Sequence, residues 1–407
     1  MSSPAALADI KVLDLSRILA GPWSAQTLAD LGADVIKVEQ PGRGDDTRHW
    51  GPPFIDDSED ADAAYFTACN RNKRSICVDF SNPEGAEILR GLAAQSDVLI
   101  ENYKVGGLAK YGLDYKSIKQ LNPGIVYCSV TGFGQTGPYA HRSGYDFLIQ
   151  GMGGLMSVTG QADGVAGAEP MKVGVAITDL FTGMYATVSV LAALRYRDVS
   201  GEGQYIDCSL LDTQVAMLAN QGANWLAGGM VPSRLGNHHP NIVPYSVFPA
   251  KDGHVVIACG NDKQFVRLCN ALDLPELTDD ARFENNAARI EHRETLNEML
   301  ARRTGELSRQ ELISRLEAAS VSCGPINTVR DVFDDAQVQT REMVVNMERG
   351  GKQTVPVVAY PARMSETPAG YRYPPPLLGE GTREILESRL GFDDEKIRDL
   401  TAQGIVA

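Results

Sequence analysis

The sequence predicts an α/β fold, a parallel sheet with crossover helices followed by a smaller α+β region, on three observations. The first half alternates short apolar runs with helical patterns, as β-α-β units do. Near residue 245 the style changes: Tyr245 to Pro249, the turn Lys251-Asp252-Gly253 and a strand from His254 to Cys259 lead into charged helical segments through Ala319. Beyond Pro356 the chain is extended again, through Pro374-Pro375-Pro376, and closes with a helix over Thr382–Leu390. At 407 residues it is too long for one ordinary core. The composition shifts set expected boundaries at 1–225, 226–330 and 331–407.

Taken in order, Ile10 to Leu15 reads as a strand, Pro22 to Leu31 as a helix, and Asp34 to Glu39 as the next strand. Ser75 to Phe80, Asp97 to Tyr103 and Ile125 to Thr131 are further strands. Pro83 fits the first position of a helix through Ala94, where its missing N–H is no loss. No G-x-G-x-x-G follows the first strand, which disfavours a nicotinamide or flavin dinucleotide. Residues 135–178 hold too many glycines for continuous helix, so they make either tight turns or a close approach to a ligand. The apolar stretch Leu180 to Leu194 is interrupted by Thr182, Thr187 and Ser189 and falls short of the ~20 residues of a membrane span. It is expected as a core helix, with Met184 and Tyr185 as packing residues, and no membrane partner is expected.

A net charge of −14 excludes a general nucleic-acid surface. Arg43, Arg48, Arg71, Lys73 and Arg74 form a local basic excess, either an anion site or solvated loop charges. Seven cysteines without a C-x-x-C pair indicate neither a disulfide framework nor zinc. Several sit in apolar runs as small core residues, which fits a reducing compartment. The first nine residues lack the charged and apolar regions of a signal peptide, so the expected location is cytoplasmic.

Asp179 stands where the Gly-containing approach Val173 to Thr178 meets the apolar helix. A carboxylate there faces unsatisfied N–H groups and the positive end of the helix dipole, favouring ionisation by about 0.3–1 kcal/mol. Such a residue is a nucleophile or, more ordinarily, an N-cap. The local pattern leaves both open.

A series of separated motifs goes further. Leu19-Ala20-Gly21-Pro22, Leu31 to Glu39, Asn72 to Ile76, Glu101-Asn102-Tyr103, Thr131 to Pro138, the Asp179 segment, Gly201 to Gln204 and Cys323-Gly324-Pro325 occur in one order. In this the chain resembles the family III CoA-transferases, the formyl-CoA transferase and carnitine CoA-transferase group, from Ile10 to Glu380. The resemblance implies a Rossmann-like large domain built from both chain ends, a small domain between, and two subunits threaded into an interlocked homodimer. It implies that Asp179 is the catalytic nucleophile, attacking an acyl-CoA and then carrying CoA as an aspartyl thioester. Coenzyme A and acyl-CoA are then substrates, with no permanently bound cofactor and no metal.

By the same resemblance the CoA-binding residues are Arg17, Ile18, Ala20, Val78, Asp79, Phe80, Ser81, Asn102, Tyr103, Lys104, Lys110, Thr131, Gly132, Phe133 and Gly134. Leu19, Tyr145, Gly236, Asn237 and His238 are substrate candidates; the last three lie in the stretch matching the family's mobile loop. Two departures stand out: Leu19 replaces the Gln of formyl-CoA transferases, which argues against formate, and Gln40 replaces an Arg. The run Gly236 to Tyr245 looks closest to members acting on short dicarboxylates, with succinyl-CoA as a donor. Two alternatives stand beside this. An α-methylacyl-CoA racemase would need His where Tyr145 stands, and a phenol near pKa 10 is a poor acid/base partner at neutrality. The other is a non-catalytic acyl-CoA-binding protein.

Overall fold

A computed structural model describes residues 5–58, 61–351 and 353–407. The chain forms two compact units, 1–155 with 173–228 and 339–407, and 156–172 with 229–338. The expected boundaries left 156–172, 226–228 and 331–338 on the other side of the division.

The first unit is built on six parallel strands: β1 (Lys11–Asp14), β2 (Asp34–Glu39), β3 (Lys73–Cys77), β4 (Val98–Glu101), β5 (Val126–Thr131) and β6 (Tyr205–Ser209). Their order is β3-β2-β1-β4-β5-β6. The chain runs outward from β1 to β3 and returns to β4, so the strand order reverses between β1 and β4. A crevice opens outside the carboxyl ends of strands at such a point. Val12, Leu13, Val98, Leu99 and Ile100 are buried, as near-continuous apolar runs in a sheet covered on both faces must be. One face packs on the helices Pro83–Ala94 and Thr382–Leu390, so the late segment does complete this unit's core. The other packs on Ala20–Asp30 and Ile177–Ser200.

Those last two helices approach closely because residue 183 is glycine: a Cβ there would lie 2.6 Å from the Ala20 carbonyl oxygen. Thr187 bonds Ser24 across the contact at 3.1 Å. The 24-residue helix is long and apolar enough to cross a membrane by length and composition alone. Ala186, Val190, Ala193 and Leu194 are buried in the unit, whereas Phe181, Met184, Tyr185, Val188, Tyr196 and Val199 are exposed. Met184 and Tyr185 are therefore not the internal packing residues expected.

The basic excess is not an anion site. Arg48 is buried between Glu39 and Asp62, Arg71 pairs with Asp30, Lys73 with Asp14, and Arg74 with Asp34 and Glu384. Arg43 pairs with Asp46 at the surface. Sequence showed the cations without the carboxylates that neutralise them. An antiparallel strand pair, Val344–Arg349 with Gln353–Val358, also belongs to this unit. Residues 405 and 406 return to the sheet edge, where Ile405 accepts the N–H of Asp79 at 2.8 Å and Val406 bridges Val78.

The second unit carries the antiparallel sheet β7 (Tyr245–Ala250), β8 (Gly253–Ala258) and β9 (Ser322–Pro325). Phe248, Val255 and Ile257 pack with Phe265, Leu268, Leu296, Leu300 and Leu312 from its helices. Buried Arg289 donates to the Val243 and Phe283 carbonyls and to Asp262.

Candidate active site

A cavity of about 640 Å³ opens at the strand-order reversal of the first unit. Arg17, Ile18, Leu19 and Ala20 line it after β1; Val78 to Ser81 follow β3, Asn102 to Lys104 follow β4, and Lys110, Thr131 and Gly132 complete the sequence-derived set. Tyr145 and Asp179 line it as well. Phe133 and Gly134 do not: Phe133 is buried in the core, and Gly134, at φ +81°, lies close to the Asp207 carboxylate. Gly236, Asn237 and His238 belong to the second unit. Gly236 and Asn237 are exposed in a turn, and half-buried His238 stands 3.4 Å from Asn297. Burial, with Arg293 adding to it, lowers the His238 pKa and favours the neutral ring.

The walls suit an anionic ligand with an apolar tail. Lys104, Lys110 and Arg142 line the cavity and make no ion pair among the described residues. Arg142 stacks on Phe133 and Tyr139, with its guanidinium 5.0 and 4.8 Å from the ring centres. Phe80 meets Tyr103 and Tyr111 edge-on. The segment Ala140 to Gly144 lines the cavity without having been expected. It can approach β5 because two glycines touch: a Cβ on Gly132 would lie 2.6 Å from the Gly144 Cα. That contact sets Tyr145 and Asp146 beside the carboxyl end of the sheet.

Asp179 is not an N-cap. Its helix begins at Ile177, placing it in the first turn, and the capping residue Ala176 offers no side-chain acceptor. Asp146, which opens a short helix of its own over Asp146–Met152, supplies that acceptor. Its Oδ1 takes the N–H of Thr178 at 2.8 Å and that of Asp179 at 3.3 Å. Gln150 donates to its other oxygen at 2.5 Å, and Thr178 donates to Gln214 at 2.6 Å. The helix start is thus held by a buried polar cluster of Asp146, Gln150, Thr178 and Gln214. The Asp179 carboxylate remains directed at the cavity.

Burial, reinforced by the Asp146 charge, pushes the Asp179 carboxyl up to about 7. At 1.36 kcal/mol per pH unit this is on the order of 4 kcal/mol against the ionised form, several times the helix-dipole preference for it. Burial, then the charge of Asp179, pushes the Tyr65 phenol up to about 12, leaving it a protonated neighbour. The arrangement is a basic carboxylate at the mouth of a helix, facing a cavity with cationic and aromatic walls. It has the elements of covalent acyl chemistry. Asp146 was missed because its role depends on a contact 33 residues away. The only local signal was an acidic residue opening a short helix after a glycine.

The chain matches CoA-transferase family III over residues 7–382. It is 50% identical over 382 residues to a succinate–glutarate CoA-transferase of Agrobacterium fabrum, covering 93% of this chain and 94% of that protein. It is 44% identical to a succinyl-CoA:glutarate CoA-transferase of Mus musculus over 402 residues, 98% of this chain and 90% of that one. Among solved structures, a CAIB/BAIF family protein from Brucella suis superposes with a TM-score of 0.84 at 50% identity, covering 96% of this chain and all of that one.

Proposed function

The chain belongs to CoA-transferase family III and is an enzyme of that transferase type, and we propose that it moves CoA from succinyl-CoA to a short dicarboxylic acid of the glutarate class with Asp179 as nucleophile. The donor and acceptor come from what the relatives are named for. The observation that carries the mechanism is the Asp179 carboxylate, made basic by burial and Asp146 and facing the cavity.

In the proposed cycle the Asp179 oxygen attacks the thioester carbonyl of succinyl-CoA, giving a mixed anhydride and CoA thiolate. The thiolate attacks the aspartyl carbonyl, releasing succinate and leaving an Asp179–CoA thioester. The acceptor carboxylate attacks that thioester, forming a second anhydride and freeing the thiolate again. Attack of the thiolate on the acceptor's acyl carbon yields the new acyl-CoA and regenerates the carboxylate. Each step exchanges one acyl bond for another, so thioester energy is kept without ATP. Lys104, Lys110 and Arg142 are proposed to meet the CoA phosphates, and the aromatic wall its apolar portion.

The exposed apolar face of the Ile177–Ser200 helix supports an interlocked homodimer as the working form. Six buried free cysteines support a reducing, cytoplasmic location. Incubation with succinyl-CoA and a panel of carboxylic acids should produce the glutarate thioester, identified by mass. The Asp179 peptide should gain a hydroxylamine-sensitive CoA adduct, and Asp179→Ala should lose both. Undiminished turnover in that variant refutes the mechanism.

A further inference from the structure

Ile18 lines the cavity at φ +73°. A β-branched residue rarely enters the left-handed region, and such strain persists where surrounding structure over-determines it. Here each backbone polar group from Ser16 to Ile18 is held by a side chain outside that tripeptide. The Ser16 N–H donates to Asp14 at 3.0 Å, and its carbonyl accepts from Lys37 Nζ at 3.1 Å. Asn102 takes the Arg17 N–H at 2.9 Å and donates to the Arg17 carbonyl at 2.7 Å. The Ile18 N–H is shared between both oxygens of Asp45, 3.3 Å each, and the Cys69 thiol stands 3.5 Å from the Ile18 carbonyl.

The charged part of this clamp is out of water. Lys37 and Asp45 pair at 2.8 Å with neither side chain exposed. Thr47 adds its N–H at 3.0 Å and its hydroxyl at 2.8 Å to the same carboxylate. A buried ion pair is often replaceable by apolar residues without loss of stability, so stability alone is a poor reason for one here. Its geometry supplies a better one: the carboxylate is aimed at the N–H of Ile18, a left-handed residue in the cavity wall.

We propose that Asp45, held by Lys37, is a positioning residue that locks Ile18 in its left-handed conformation and so shapes the Arg17–Ala20 wall for the CoA moiety. This rests on the reading of the cavity as the acyl-CoA site. Without the clamp, Ile18 relaxes to an ordinary φ, the peptide rotates, and the wall is no longer preformed.

The test is calorimetric titration with CoA of wild type, Asp45→Asn, and Asp45→Asn combined with Ile18→Gly, together with steady-state kinetics. Asp45→Asn should raise the CoA Kd roughly tenfold, with KM for acyl-CoA rising more than kcat falls. Glycine enters the left-handed region without steric cost, so the double variant should return to within about threefold of wild type. A melting temperature that drops with unchanged Kd overturns the proposal, as does a double variant no better than the single. If Asp45→Asn does not fold, Thr47→Val weakens the same clamp; Kd should then rise roughly threefold and recover with Ile18→Gly, and an unchanged Kd overturns the proposal. Wild type that fails to bind CoA overturns the cavity reading itself, a result distinct from equal binding by wild type and Asp45→Asn.

Discussion

The carboxylate of Asp146 accepts the backbone N–H of Asp179 at 3.3 Å while its charge opposes ionisation of the Asp179 side chain. One group thus anchors the start of the Asp179 helix and raises the basicity of the Asp179 carboxylate. A capping residue within the helix's own sequence would do the first without so direct a hold on the second. The separation is visible in the geometry, since Ala176 occupies the capping position and contributes no side-chain acceptor.

The acid limb of the pH profile should report this pair. With Asp179 at about 7, kcat/KM for acyl-CoA should fall about tenfold per pH unit on the acid side. Asp146→Asn keeps an oxygen for the two N–H groups and removes the charge, so the limb should move to lower pH. A limb that stays in place assigns the whole effect to burial.

Stability should move in the opposite sense to activity. The folded-state pKa of Asp179 lies above its ordinary value of 3.8, so the folded protein binds more protons than the unfolded chain between those values. Stability is therefore retained below about 4 and lost as pH rises through 7. Asp179→Asn should be inactive yet more stable than wild type by about 2–4 kcal/mol at pH 8, with the advantage vanishing near pH 4. Denaturant unfolding at the two pH values measures it; equal stability at pH 8 contradicts the raised pKa.

Acceptor recognition is testable at the exposed turn of the second unit. If Asn237 and His238 hold the acceptor's remote carboxylate, replacing either by Ala should lower kcat/KM for glutarate by roughly one to two orders of magnitude. A monocarboxylate of similar length should lose far less. Equal losses for both acceptors would mean that these residues only shape the turn.

Light scattering at micromolar concentration should return twice the 44.0 kDa chain mass. If the two subunits are threaded as proposed, dilution should not dissociate them without unfolding. A monomeric mass refutes the assembly.

Much of the first unit was legible because its periodicities are local. The strand Asp34–Glu39 and the helices Pro83–Ala94 and Thr382–Leu390 coincide with the sequence reading. Arg17, Asn102 and Thr131, named from the family resemblance and not from the strand pattern, line the cavity. What escaped depends on pairing across distance. Lys73 looked available for an anion because Asp14, its partner at 2.9 Å, sits on another strand. Asp179 looked like a cap because the competing acceptor is Asp146. The inclusion of residues 156–172 in the second unit has no periodic signature at all, since a glycine-rich segment can join either neighbour.

The pairing of Ile405 and Val406 with residues 78 and 79 bears on the order in which the protein becomes functional during synthesis. The cavity wall after β3 emerges early from the ribosome, but its edge partner arrives about 300 residues later. At typical elongation rates that is an interval of roughly 15–65 s. Throughout it the nascent chain holds an unfinished sheet edge and an incomplete cavity wall. Products truncated before Ile405 should therefore be incompetent for ligand and exposed to proteases, however well their earlier strands have folded.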